Sequence, residues 1–566
     1  MSNERMNRTN RSSFKFHPNL VISFLIVVIV LTYGVIYPNT TIFLKSFQRE
    51  GAWSLSNYLL TFSQSSTLEA MWSSVLLSVL TVALCALVGI PLAFLFERYD
   101  FPARKLFATL TALPLVLPPL VGTVAFIFLC GESGIFSRLV QKAFQLNSAP
   151  WTLRGWGALL LFHTYTMYPF FYILVGAGLQ RVDSSLAEAA RSLGASPARI
   201  LSRIVLPQLT PSLVAAGLLT FMTSMASFSA PLLFGGEVRL LTLEIYTARQ
   251  RGDIAAAITE TVILATISLV ALVFFQRYEG TRQFVSAAMK GTTKRRESIT
   301  GGKGRVAAAL LAVLLPVVLA LPVVTLIVIS FAQDGTWTTQ IFPPNYTLDN
   351  YRRIITAEAS GGVLVNSLLM SGLAALAALL WSFCVVGLST GRRTLWRRIV
   401  SLLVIVPWAL PGTVVAVAIA EAYGKENPLT GTFILAGTFW ILPVIYFLRF
   451  MPLVVRSVQA SVEQMDPALE EAASSLGARW WKRLINVRLP LVWPGAVAGT
   501  LLVFVIGLGE YVASVLVFVP RNRPISIAIA AQMRDFNLGT AAAYGVVLVT
   551  AIAFSMSVAA HLEKKG

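Results

Sequence analysis

Few side chains in this sequence are suited to chemistry, and most of those stand inside long apolar runs. Glu510 lies in VIGLGEYVASVLVF with Tyr511 beside it, His163, Tyr165 and Tyr168 lie in LFHTYTMYPFF, and Glu421 sits near the end of another apolar run. Carboxylates and phenols are hard oxygen donors, so these groups suit contact with a hard cation. An ionisable residue inside a membrane-spanning run marks a functional position by default. The ordinary alternatives are a helix-end group at the interface, a hydrogen bond between helices, or an aromatic belt. No constellation of the enzymatic kind is present. The three histidines, His17, His163 and His561, are scattered, which speaks against metal chemistry. Cys85, Cys130 and Cys384 lie in apolar segments without Cys-x-x-Cys spacing and indicate neither a disulfide framework nor a metal site. A phosphate-binding G-x-x-x-x-G-K-[ST] loop is missing, since GGKGR at 301–305 has neither the spacing nor the strand–loop–helix setting. The chain is therefore expected to contain no catalytic residue and to bind no cofactor itself, and no metal-ligand set is assigned.

The elements that must position these side chains follow from composition. Of the 566 residues 56% are hydrophobic and 13% charged, with a mean hydropathy of +0.72, against about 25% charged residues in an average soluble domain. Apolar runs near 20–44, 70–96, 105–130, 155–179, 209–235 and 255–276 are long enough to cross a bilayer as helices. A second set lies near 306–332, 362–388, 398–423, 432–455, 491–519 and 541–561. The expectation is an all-α membrane protein of about twelve transmembrane helices in two homologous six-helix halves. Its divisions are a tail at 1–19, a first half at 20–276, a basic linker at 277–305 and a second half at 306–566. The first apolar run is too long for a cleaved signal and is expected to stay as a span.

Net charge is +19, but the basic residues punctuate apolar runs and form no continuous face, so nucleic acid is not expected as a partner. Topology explains the charge better. One side receives Arg98, Arg104, Arg191, Arg203, the linker, Arg392, Arg393, Arg479, Arg488 and the terminal clusters, and it holds about twice as many Lys and Arg as the other side. That side is read as the cytoplasm, with both termini in it.

One segment occurs twice. LAEAARSLGASPARILSRIVLP runs from Leu186 to Pro207, and LEEAASSLGARWWKRLINVRLP from Leu469 to Pro490, at an offset of 283 positions. Apolar residues at helical spacing, Leu186, Ala189, Ala190 and Leu193, matched by Leu469, Ala472, Ala473 and Leu476, predict a short amphipathic helix in each copy. Gly194 and Gly477 then suit a left-handed turn, and Ser196 before Pro197 suits the cap of a second short helix. The register persists, with Pro211 on Pro494 and Phe221 on Phe504, but Glu510 falls on Ser227, so the two halves differ where the buried acid stands. Prolines also recur at matching places, in LPLVLPPLVG (113–122) and VPWALPGTVV (406–415), as suits kinked helices around a gated core.

The duplicated segment resembles the EAA loop of binding-protein-dependent ABC importer permeases, EAA-x3-G-x9-[IV]-x-LP, and both copies fit it fully. The resemblance is clearest over 70–276 and 362–561 and implies the type I ABC importer permease fold. It implies that Glu188, Ala189, Ala190 and Gly194, with Glu471, Ala472, Ala473 and Gly477, form two coupling helices seated on two copies of a cytoplasmic ATPase subunit, where ATP and Mg would bind. It implies also a periplasmic substrate-binding protein and a multi-pass location in the bacterial inner membrane. Fused permeases with segments like ASFSAPLLFGG (226–236) look most like the ferric-iron permeases; thiamine, aminoethylphosphonate and polyamine permeases share much of the pattern. A secondary transporter would also give twelve spans, but it predicts no duplicated amphipathic loop. Glu510, Tyr511, His163 and Glu421 are the candidates for the substrate pathway.

The charge asymmetry makes a testable prediction. Reporter fusions near Lys294 should read cytoplasm and those near Asn345 periplasm, and a periplasmic signal at Lys294 would place both loops beyond the reach of any ATPase.

Overall fold

The computed structural model describes residues 18–49, 51–101, 103–182, 184–280, 297–298, 302–337, 340–358, 362–389 and 395–563. Most of the tail 1–19 and of the linker 277–305 lies outside these residues. In the first half, α1 (Pro18–Leu31) passes through a π-turn into α2 (Tyr37–Ser46), followed by α3 (Ser56–Ser63), α4 (Ser65–Arg98), α5 (Arg104–Thr111), α6 (Pro119–Cys130), α7 (Ile135–Ala143) and α8 (Gly155–Leu179). The short helices α9 (Ser184–Ser192) and α10 (Pro197–Ile200) lead to α11 (Leu206–Met225), α12 (Ser229–Phe234), α13 (Leu241–Gln250) and α14 (Ile254–Gly280). The second half repeats the order: α15 (Gly302–Ser330), α16 (Asp349–Glu358), α17 (Val363–Ser389), α18 (Leu395–Ala409), α19 (Gly412–Ala422) and α20 (Ile441–Gln464). Then come α21 (Pro467–Ser475), α22 (Trp480–Arg483), α23 (Leu489–Leu508), α24 (Ser514–Val517), α25 (Ile525–Arg534) and α26 (Leu538–Glu563).

Among the described residues ten helical segments are long and apolar enough to cross a membrane, and the bent pair α18 and α19 makes an eleventh. That is ten or eleven against the expected twelve; in α15 the apolar stretch is the shorter Val317–Ser330. The expectation of uninterrupted spans fails in detail at the prolines. The run 398–423 breaks between α18 and α19 with a bend of 106°, because the ring at Pro411 cannot donate and clashes with the preceding turn. In the first half the run 105–130 divides into α5, a 3₁₀ turn at Leu113–Val116 and α6. The runs 209–235 and 491–519 end as helices at Met225 and Leu508 and turn back through α12 and α24.

The halves interlock. α1 and α2 pack on α17 and α19 of the second half, while α15 packs on α5 and α6 of the first. The sequence repeat also extends into these first helices, where it is hard to see by eye. Asn57 donates from Nδ2 to the carbonyls of Ser46 and Gln48, and Asn350 donates to those of Ser330 and Ala332. In both halves a serine hydroxyl then meets a tyrosine hydroxyl at 2.7 Å, Ser46 with Tyr58 and Ser330 with Tyr351. The same Ser-Phe and Asn-Tyr pairs thus close the same turn twice.

Small residues bring helices together in the membrane, where burial of apolar surface drives little association. Gly89 of α4 lies so near α8 that a Cβ there would come within 2.6 Å of the Tyr168 carbonyl oxygen and of the Phe171 Cβ. Backbone cannot yield as a side-chain tip can. Gly89→Ala should therefore push α4 from α8 and cost about 1–3 kcal/mol, read as a lower unfolding temperature of the purified protein; an unchanged transition would show that the two helices are free to separate.

Candidate functional site

The two duplicated loops form matching structures. In each, a nine-residue helix, α9 or α21, ends at a glycine with positive φ, +80° at Gly194 and +78° at Gly477. Only glycine takes that conformation without a Cβ penalty. It lets Ala195 N–H bond back to Ala190 and Ala478 N–H to Ala473, pairing carbonyls that the helix end would strand. The Ser196 hydroxyl accepts from the Arg199 N–H and so caps α10, while Asp466 caps α21 by accepting from Ala468. Glu188, Ala189 and Gly194 are exposed and Ala190 is half-buried; Glu471, Ala472, Gly477 and Ala473 repeat that pattern. Leu193 and Leu476 are each 88% exposed. A leucine so open at the tip of a rigid turn gains nothing from its own chain and suits an apolar recess on a partner. From each loop the chain continues through a π-turn, Leu201–Val205 or Leu484–Arg488, directly into α11 or α23.

The intramembrane candidates occupy different settings. Glu510 is buried and ion-paired with Arg449 of α20. Its other carboxylate oxygen accepts from the Ala513 N–H at 2.8 Å, and its carbonyl accepts from Ser514 and Ser526. Room for the guanidinium is left by Gly412 at the start of α19, where a Cβ would lie 2.5 Å from an Arg449 nitrogen. His163, the repeat partner of Tyr446, is fully buried between Ser227 at 2.9 Å and Ser224 at 3.2 Å. Tyr446 meets Ser514 at 2.7 Å. Both halves thus tie the fourth span to the end of the fifth, the first through neutral groups and the second through an added ion pair. Tyr165 and Tyr168 donate to the carbonyls of Leu319 and Thr111. Glu421 lies apart from these, at the end of α19, bonded to Lys45 at 3.1 Å with Arg249 at 4.0 Å. Burial lowers the Arg249 guanidinium from its ordinary value, and Glu421 opposes that shift. Tyr511 is buried beside Phe228. No cluster of three or more metal-ligating side chains occurs among the described residues.

Residues 87–280 and 384–565 each match the model of the binding-protein-dependent transport system inner membrane component family. The chain belongs to that family. This inner membrane component is thus a fused, two-domain ABC importer permease and a multi-pass membrane protein. Its similarity to the probable ABC transporter permease protein y4fN of Sinorhizobium fredii is 31% identity over 499 residues, 88% of this chain and 87% of that protein. With the ferric transport system permease protein FbpB of Actinobacillus pleuropneumoniae it shares 23% over 534 residues, 92% of this chain and 75% of that one. The molybdenum transport system permease protein ModB of Mycobacterium tuberculosis matches 214 residues at 31%, which is 36% of this chain and 79% of ModB.

Two ionisable residues within the spans of the permease, Arg449 and Glu260, were missed by sequence reasoning. Arg449 is the one residue among the 45 Lys and Arg that the loop assignment places on neither side, which is the signal that could have found it. Glu260, inside α14, accepts from the Thr67 hydroxyl at 3.1 Å. The ion pair yields a prediction. Arg449→Met leaves the Glu510 carboxylate buried without its counter-charge and should cost about 3–5 kcal/mol, whereas Arg449→Met with Glu510→Leu should recover most of that loss. Thermal unfolding of the purified variants reads both, and a double variant as unstable as the single one would refute the pairing.

Proposed function

We propose that this permease imports ferric iron, handed to its outer face by a periplasmic binding protein and driven by two copies of a cytoplasmic ATPase that seat the loops 184–205 and 467–488. The observation that supports iron is the extent of the likeness. Ferric permeases align with both halves, over 92% and 86% of the chain, whereas the molybdenum permeases align with a single half. With both loops on one polypeptide, one copy of the chain serves two ATPase subunits, and ATP and Mg stay with those subunits. The loops lie on the cytoplasmic side together with both termini.

In this reading Glu188, Ala189, Ala190 and Gly194, with Glu471, Ala472, Ala473 and Gly477, present the docking surface, and the exposed Leu193 and Leu476 fill apolar recesses on the ATPase. Glu510 and His163 act by holding the ends of α23 and α11, Tyr511 stands on the pathway, and Glu421 belongs to the outer end. Closure of the ATPase pair would draw the two loops together and rock one half against the other.

Uptake of radiolabelled ferric ion by cells expressing the complete importer tests the substrate; accumulation of molybdate in place of iron would transfer the assignment to an oxyanion. Glu188→Arg combined with Glu471→Arg should abolish ATP-driven uptake while the chain stays in the membrane at its normal level. Equal uptake and equal ATPase co-purification by that variant would end the coupling role of both loops.

A further inference from the structure

Two residues at equivalent places in the repeat touch each other. Phe228 and Tyr511 are separated by 283 positions, the offset that relates Glu188 to Glu471, and their ring centroids lie 5.9 Å apart. Positions related by a two-fold axis can meet only at that axis. In a transporter built of paired repeats the substrate route lies at the interface between them, so these two rings stand across it. Phe228 is 1% and Tyr511 4% exposed, and Tyr246 packs edge-on against Phe228 at 5.3 Å. Beside them Gly509 approaches Pro118 so closely that a Cβ would come within 2.8 Å of the proline ring, which brings the end of α23 against the break that precedes α6.

We propose that Phe228 and Tyr511 are the seal of the pathway and the side chains that every substrate must part. The seal is connected to the loops by unbranched levers. α11 and α23 each run from a π-turn at the cytoplasmic loop to the residue stretch that bears one of the rings, about 30 Å along a 20-residue helix. Displacing both loops displaces both rings. The two leaves differ in stiffness. The stretch bearing Tyr511 is fixed by the Arg449–Glu510 ion pair and by Ser514 and Ser526 on the Glu510 carbonyl. The stretch bearing Phe228 is held by neutral hydrogen bonds, Ser227 to His163 and the Thr242 hydroxyl to the Ser227 carbonyl. Phe228 is accordingly the leaf that swings and Tyr511 the one it closes against.

This rests on the import reading for its purpose, but its test needs no ATP, ATPase or substrate, so the two fail separately. Full-length chain reconstituted in proteoliposomes loaded with potassium should be tight, and Phe228→Ala with Tyr511→Ala should leak potassium about tenfold faster, the change expected when about 1.4 kcal/mol of ring contact is lost. Phe228→Tyr should stay tight. A double-alanine variant that is monodisperse and as tight as the parent overturns the seal. Should that variant fail to fold, Phe228→Cys and Tyr511→Cys can be joined by a short thiol-reactive linker after Cys85, Cys130 and Cys384 are replaced by alanine. Cleavage at a protease site placed within 281–296 should then leave the halves as one band on a denaturing gel. Halves that run apart on that gel also overturn the proposal.

Discussion

A backbone carbonyl or amide freed inside hydrocarbon has no water to turn to, and this constraint shapes the molecule. The spans break at Leu113–Val116 and between α18 and α19, where prolines forbid a continuous ladder. Such breaks are tolerable only where protein covers them. α15 and α2 provide the cover by crossing to the opposite half. Tyrosine hydroxyls supply donors at the same places: Tyr168 reaches the carbonyl of Thr111 at the end of α5, and Tyr37 that of Ala422 at the end of α19, at 3.4 Å. Interlocking of the halves and breaking of the helices are therefore linked, since the crossing helices cover the breaks.

The repeat gives the permease two similar loops and one unlike interior. In the loops the copies keep the same glycine turn, exposed leucine and π-turn. Within the membrane they diverge. His163 answers Tyr446, and Ser227 answers Glu510, so one half holds an added, partly buried ion pair. An ion pair out of water adds little net stability over well-packed apolar groups but is costly to break by removing one partner. It suits a fixed leaf better than a moving one.

Much of this was legible without coordinates. Apolar runs announce spans because only a helix satisfies its own backbone over that length. The duplicated loop could be drawn in detail, down to the glycine turn and the Ser196 cap, since caps and turns depend on neighbours in sequence. The broken spans were less readable. The prolines were visible, but whether a proline kinks a helix or ends it depends on what packs against the freed groups. The repeat in the first helices was obscured by unequal spacing between the Ser-Phe and Asn-Tyr pairs, although each pair closes its turn in the same way.

Sequence by itself thus determined the membrane class, the two halves, the loops and the family, all of which rest on local pattern and on repetition along the chain. Tertiary structure alone decided which ionisable groups meet. Glu510 and His163 were pathway candidates in the sequence; the partner of Glu510, Arg449, is 61 residues away on another helix, and Ser224 and Ser227 enclose His163. The meeting of Phe228 with Tyr511 was likewise invisible. It depends on how the two halves close around their shared axis, and that is set by packing between segments far apart in the chain.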